Sequence, residues 1–187
     1  MTLIAHVQQP RDRPALEAHF AALSPEDLRF RFGYPISPEG LGRYLDGLAA
    51  TDALAYGVFN PSGELVALGQ LGIAGDALEI GLSVLAPYRR QGLGTALMSR
   101  AATHARTHNL HSIILLSLAE NQPILALARR YGMAVSVSQG EAESHVRLEA
   151  ATAVDFWREV AFDQAALLQS VTRSWQLATG WVGNRGR

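Results

Sequence analysis

Between residues 53 and 85 the chain makes three apolar runs of strand length, and between 93 and 131 its apolar positions twice recur at helical spacing. The runs 53–59 and 65–73 are separated by Asn60-Pro61-Ser62-Gly63, turn chemistry that predicts an antiparallel hairpin. A third run, 77–85, follows Gly75-Asp76 and extends the pair into a meander. After Gly92, the residues Leu93, Leu97, Ala101 and Ala105 fall on one stripe, which predicts a helix to about His108, ended by Asn109. Residues 112–118 are almost continuously apolar, as expected of a strand covered on both faces. Strand, helix and strand at this spacing form a right-handed crossover. A second helix is predicted over 121–131, with Pro123 near its start, Arg129 and Arg130 in its last turn and Gly132 just past its end. Residues 134–138 and 144–148 read as a final pair of strands around Gln139-Gly140.

The two ends are patterned differently. Residues 3–7 partly alternate and predict a short first strand that Pro10 stops. A helix is expected from Asp12, with Asp12 as its cap, Pro14 in its first turn and Leu16, Phe20 and Leu23 at helical spacing. Ser24-Pro25-Glu26-Asp27 repeats the start signal, so two consecutive helices precede Tyr34-Pro35. Residues 41–48 suggest one more short helical turn, weakened by two glycines. Beyond 150, Thr152-Ala153-Val154-Asp155 has the form of a capping box. Phe156 or Trp157, Val160, Gln164, Leu167 or Leu168, Val171 and Trp175 then trace one face of a helix over 153–178, roughly 39 Å long. Such a helix either packs on its own domain or offers Trp157, Trp175 and Trp181 to a partner, including a second copy in a homodimer. The expected organisation is one domain over 1–150 and a C-terminal helical extension over 151–187 that ends in a frayed basic tail.

Composition narrows the classes of function. With 187 residues and 48% hydrophobic content, the chain can fill one well-buried core. Sixteen Lys and Arg against seventeen Asp and Glu leave a net charge of -1, so no global field recruits nucleic acid or an anionic membrane. The absence of cysteine excludes disulfides, thiolate metal clusters and cysteine nucleophiles. Arg11, Asp12 and Arg13 follow too few apolar residues for a signal sequence, and no apolar run approaches the ~20 residues of a membrane span. A soluble, cytoplasmic protein is expected.

The candidate chemistry lies between Glu79 and Met98. An apolar strand leads through Pro87 into a loop with two arginines and two glycines, and then into a helix. Glycines let the backbone turn tightly and approach a ligand, and the free N–H groups of a helix start favour phosphate. Arg89 and Arg90 add side-chain charge. A Walker loop is excluded because no lysine follows the glycines, and a dinucleotide fingerprint is excluded because Leu97 stands where its third small residue belongs. What does match is Arg89-Arg90-Gln91-Gly92-Leu93-Gly94, which resembles the acetyl-CoA pyrophosphate loop, Arg/Gln-x-x-Gly-x-Gly/Ala, of the GNAT superfamily of N-acetyltransferases. The resemblance covers about residues 3–150. It includes Asn121 followed by a helix that ends in Tyr131-Gly132-Met133, similar to the family's Asn…Gly-Phe element. Leu23-Ser24-Pro25-Glu26, Arg29-Phe30-Arg31-Phe32 and Ala119-Glu120-Asn121-Gln122-Pro123 are also similar to bacterial protein lysine acetyltransferases of the Pat type.

The resemblance implies an α+β fold of GNAT type, with a mixed central sheet of six to seven strands flanked by helices, plus the C-terminal amphipathic helix. It implies acetyl-CoA as cosubstrate, an amine of a protein lysine or a small molecule as acceptor, and direct attack in a ternary complex. The cofactor-binding set is then Val84, Leu85, Arg89, Arg90, Gln91, Gly92, Leu93, Gly94, Thr95 and Asn121. In that family the strand 80–85 parts from the next parallel strand to admit the pantetheine arm, and an N–H near Leu85 would face the thioester oxygen. Asn121 would reach the same arm or serve only as a helix cap. A lysine-type amine, whose ordinary pKa is about 10.4, needs a base at neutral pH. Glu79 matches the family's glutamate, and burial would raise its pKa into a useful range; the alternative is a glutamate facing solvent. Where many members place a tyrosine acid this chain has Ala128, and Tyr131 and Ser117 are poor substitutes. His104, His108 and His111 lack the glutamate of a zincin motif, so no metal is expected. Arg29 and Arg31 either meet an acidic acceptor or line a solvated helical face. The competing function is an acyl-CoA-binding regulatory module without turnover.

Overall fold

The computed structural model describes residues 4–7, 11–50 and 53–162. Strand β1 (Ile4–His6) precedes helices α1 (Arg13–Ala21), α2 (Pro25–Phe32) and α3 (Pro38–Ala50). The meander β2 (Ala55–Phe59), β3 (Leu65–Ala74) and β4 (Ala77–Val84) follows, then α4 (Leu93–Thr107), β5 (Ser112–Leu118), α5 (Gln122–Arg130), β6 (Ala134–Ser138) and β7 (Glu141–Arg147). A last helix, α6, occupies 153–162, and the remainder of the helix expected to 178, with Trp175 and Trp181, lies outside the described residues.

The seven strands form one sheet in the order β1-β2-β3-β4-β5-β7-β6. Every neighbouring pair is antiparallel except β4 and β5, the pair joined by the predicted crossover. Apolar side chains fill both faces. On one, Leu78, Ile80, Leu97, Met98, Ile113 and Leu115 seal α4 and α5 to the sheet. On the other, Leu16, Phe20, Leu45, Leu65, Leu68 and Leu85 seal α1 and α3. The even-numbered residues of β4 therefore face α4, and its odd-numbered residues face α1 and α2.

Helix starts follow their chemistry. Ser24 and Asp27 close a reciprocal capping box at α2, whereas Asp12 stands at the cap position of α1 without a capping hydrogen bond from its side chain. Helix α3 spans thirteen residues rather than one short turn. Ser37 Oγ accepts from Gly40 N at 3.1 Å and Pro38 opens the first turn, which repeats the serine-proline signal of α2 and outweighs the two glycines. Strand β7 begins at Glu141, three residues before its expected start, because the tight turn at Gln139 and Gly140, both at positive φ, lets pairing with β6 begin at once.

Helix α6 has the expected capping box between Thr152 and Asp155 but buries a different face from the one its apolar residues suggest. Asp155 and Glu159 are buried and Phe162 packs on Tyr56, while Val154, Phe156 and Trp157 are exposed. The reason is electrostatic. Glu159 accepts from both terminal nitrogens of the buried Arg100 of α4, with Arg100 Nη2 at 2.8 Å from Oε1. The Arg100 guanidinium also lies 3.8 Å from the Phe162 ring centroid.

Candidate active site

The feature that organises the site is a gap in the sheet. Strands β4 and β5 pair only through Ala77 with Ser112, Leu78 with Ile113 and Glu79 with Ile114. Beyond that point β4 runs on to Val84 still paired with β3, and β5 runs on to Leu118 paired with β7, so the facing edges of 80–84 and 115–118 are left without a partner strand. Leu85 N donates to Val66 O at 2.9 Å, which sets the phase of the β3–β4 ladder. In an antiparallel ladder the hydrogen-bonded residues alternate, so the N–H and C=O groups of Ile80, Leu82 and Val84 point into the gap. The N–H of Leu85 itself is thus committed to β3, and the donor near it at the end of the gap belongs to Val84.

The loop closes the end of the gap. Gly92 takes the left-handed conformation, φ 81°, as the cap of α4, and Ala96 N is the first amide of that helix to bond back, to Gly92 O. The N–H groups of Leu93, Gly94 and Thr95 therefore have no intrahelical acceptor and, with the helix dipole, present a positive end. Gly94 has a different role from Gly92: a Cβ there would lie 3.2 Å from Leu127, so its lack of a side chain lets α4 pack on α5. Gln91 donates to Pro87 O at 3.2 Å and braces the loop.

The two arginines divide their roles, contrary to the expectation that both add charge to the cradle. Arg89 Nη2 lies 2.7 Å from Asp27 Oδ1 of α2, and its Nε donates to Val84 O at 3.0 Å. Burial works to raise the Asp27 carboxyl pKa, but the bonds from Arg89 and Ser24 outweigh it and hold the group below the usual carboxylate range. Arg90, exposed at φ 61°, makes no ion pair among the described residues and remains the unpaired cation of the loop.

Glu79 is the last residue of β4 that pairs with β5, at the fork of the gap and on the face of α2. It is exposed, between Gly72 of β3 and Ile114 of β5, so the burial expected of it is not found. Leu116, two residues beyond Ile114 on the same face, is 56% exposed, and β5 is therefore not covered on both faces. Asn121 Oδ1 accepts from Ile124 N at 3.3 Å, so its oxygen serves as the cap of α5 and only its amide nitrogen is left to meet a ligand. Ala128 is fully buried in the core, and Ser117 Oγ, on the parted stretch of β5, is buried without a partner. The ligating atoms of His104, His108 and Glu159 lie within 4.8 Å of one another, but the Arg100 guanidinium already holds both oxygens of Glu159.

A sheet with two unpaired inner edges and a helix N-terminus closing one end suits a long ligand with amide groups and a phosphate end, as an acyl-CoA has. The family model for acetyltransferases of the GNAT family matches residues 21–133. The chain belongs to the GNAT family. Acyl transfer from an acyl-CoA is accordingly the chemistry this site supports. The fold of this GNAT chain is similar to that of the GNAT domain of S. lividans PAT, with 18% identity over 78% of this chain and 89% of that one and a TM-score of 0.66. It is also similar to the ribosomal-protein-S18-alanine N-acetyltransferase from Escherichia coli, with 18% identity, coverage of 82% and 97% and a TM-score of 0.61. A phosphinothricin acetyltransferase from Sinorhizobium meliloti, solved in complex with AcCoA, shares 13% identity over 81% and 91% of the two chains, with a TM-score of 0.61. At such identities the likeness concerns the fold. No curated protein matches the GNAT chain in sequence. Among the described residues no helix is long and apolar enough to cross a membrane.

Sequence reasoning missed a polar cluster beside Glu79. Arg31 Nη2 and Tyr44 OH both donate to Gln70 Oε1, the latter at 2.8 Å. The signal was present: Gln70 is the one strongly polar residue between Leu65 and Ala74, and a buried amide requires partners.

Proposed function

We propose that the protein transfers an acetyl group from acetyl-CoA to a primary amine by direct attack in a ternary complex, with Glu79 as the base. The observation that carries this reading is the parting of β4 and β5 immediately after Glu79, beside the loop closed by Gly92. In this reading the gap-facing groups of Ile80 and Leu82 hold the pantetheine arm, and the free amides of Leu93, Gly94 and Thr95 hold the pyrophosphate together with Arg90. Acetyl-CoA supplies the activated acyl group. The Val84 N–H is placed to stabilise the negative charge that develops on the acyl oxygen. Glu79 takes the proton of the acceptor's ammonium, directly or through one water, on the face away from α4. No side-chain acid stands at Ala128, and none is required, since a thiol of pKa about 8.5 leaves as thiolate.

Acetyl transfer to a panel of amines, amino acids and peptides tests the reading. Glu79→Gln is expected to keep acetyl-CoA affinity and to lower transfer by about 100-fold, the low end of what a general base contributes. Unchanged turnover in that variant removes Glu79 from the mechanism. Acetyl-CoA binding with no transfer to any amine favours the regulatory module instead, a reading supported by the absence of an acid at Ala128 and by the exposure of Glu79.

A further inference from the structure

The cluster next to Glu79 contains a charge that no carboxylate among the described residues neutralises. Arg31 projects from α2 and lays its guanidinium over Gly81 of β4; a Cβ on Gly81 would lie 2.5 Å from the Arg31 guanidinium carbon, so glycine is what admits it. Arg31 Nη2 reaches Gln70 Oε1 and, at 3.1 Å, Tyr44 OH, both of them neutral groups. Among the described residues no carboxylate pairs with Arg31, its Nε is buried without a partner and its Nη1 makes no hydrogen bond. Gln70, only 6% exposed, turns its oxygen to the two donors and leaves its own Nε2 buried and unpartnered. Rotating the amide would set its NH2 group against the Arg31 donor, so the Arg31 guanidinium fixes its orientation. Three unused N–H-bearing nitrogens and one positive charge thus meet on the inner face of the sheet. A half-buried cation that no carboxylate among the described residues pairs with is costly unless something else pairs with it.

Its position says what that something is. Gly81 lies two residues along β4 from Glu79 on the same face, so the guanidinium sits over a strand position about 7 Å from that of the base. An amine presented to Glu79 from this face places whatever it carries a few bonds away against Arg31. We infer that the acceptor is a small amine that also bears a carboxylate, an amino acid, and that Arg31, supported by Gln70 and Tyr44, binds that carboxylate while Glu79 receives the amine. The inference rests on the proposed transferase reading and narrows its acceptor from amines at large to amino acids. A carboxylate accepts charge-assisted hydrogen bonds from the guanidinium and neutralises it, which a neutral carboxamide cannot do.

The test compares each amino acid with its own carboxamide, in acetyl transfer by the full chain and in calorimetric binding of the corresponding N-acetyl amino acids and N-acetyl amides. The free acid is expected to exceed the amide about tenfold or more in kcat/KM, mainly through KM, and in product affinity. Arg31→Gln should bring both ratios toward one without loss of acetyl-CoA affinity. Because that variant could also loosen α2, Gln70→Glu is the companion: it supplies an internal carboxylate to Arg31, so the fold keeps or gains thermal stability while the acid preference disappears. Equal use of acid and amide by the parent, preferred transfer to peptide lysines, or an acid preference that survives both substitutions overturns the inference. Preferential binding of N-acetyl amino acids without transfer to any amine would sink the transferase reading and leave the carboxylate anchor standing.

Discussion

At the scale of single residues, the two loop glycines show why a motif match alone does not divide roles. Gly92 and Gly94 are equal letters in the pattern, yet only Gly92 needs a positive φ, and Gly94 instead gives room to the Leu127 side chain. The distinction yields a prediction with a built-in control. Asn and Asp tolerate the left-handed region about equally, at a cost near 1 kcal/mol, and differ in charge. Gly92→Asn should therefore weaken acetyl-CoA binding only several-fold, whereas Gly92→Asp should weaken it by about 100-fold through repulsion at the pyrophosphate. Calorimetry on the pair decides it, and equal losses would place the phosphate elsewhere. Glu79 and Asn121 were both legible as residue types at the right spacing. For both, the sequence offered two readings without deciding between them, and exposure and partner choice decide: Glu79 faces solvent, Asn121 uses its oxygen as a cap, and Arg89 pairs with Asp27, which no motif announced. Those depend on contacts between residues far apart in the chain.

At the scale of elements, periodicity located the meander, the crossover and both sheet-covering helices, because each repeats an apolar stripe of its own. It misjudged the buried face of α6, which an ion pair rather than an apolar stripe attaches to α4. That attachment has a pH signature. Burial works to raise the Glu159 pKa, but hydrogen bonds from His104 and Arg100 and the Arg100 charge prevail and bring it down to about 2. A carboxyl with a depressed folded-state pKa contributes stability that is complete above its unfolded value, near 4.5, and is lost as pH falls toward about 2. A shift of that size corresponds to about 3 kcal/mol. Chemical denaturation of the parent should show this loss between pH 4.5 and 2, and Glu159→Gln should be destabilised by about 3 kcal/mol at pH 7 while losing that portion of the acid dependence. A variant as stable as the parent at pH 7 would show that α6 is held by Phe162 instead.

At the scale of the whole molecule, the sheet is two leaves, β1 to β4 and β5-β7-β6, joined through three parallel residue pairs. Neither leaf is unusual in the sequence, and the crossover between them was predicted from its spacing. The incomplete pairing was not readable from residues 80–84 or 115–118 themselves, which are as apolar as any paired strand; it entered only with the family resemblance. Hydrogen exchange tests whether this opening is where acetyl-CoA binds. Adding it should slow exchange at the amides of Ile80, Leu82 and Val84, which point into the gap, and leave the already paired Leu85 amide nearly unchanged. Uniform protection, or none, would move the ligand away from the gap.

The two strands behave like a zip fastener whose slider has stopped at Glu79. One further rung, Ile80 closed against Leu115, would shorten the slot and carry the fork past the glutamate; one rung fewer would free Glu79 from its register with Ile114 and let it swing with β4 alone. The position of the slider therefore fixes two things at once, where the slot ends and where the carboxylate stands, and a substitution that moved one could not leave the other in place.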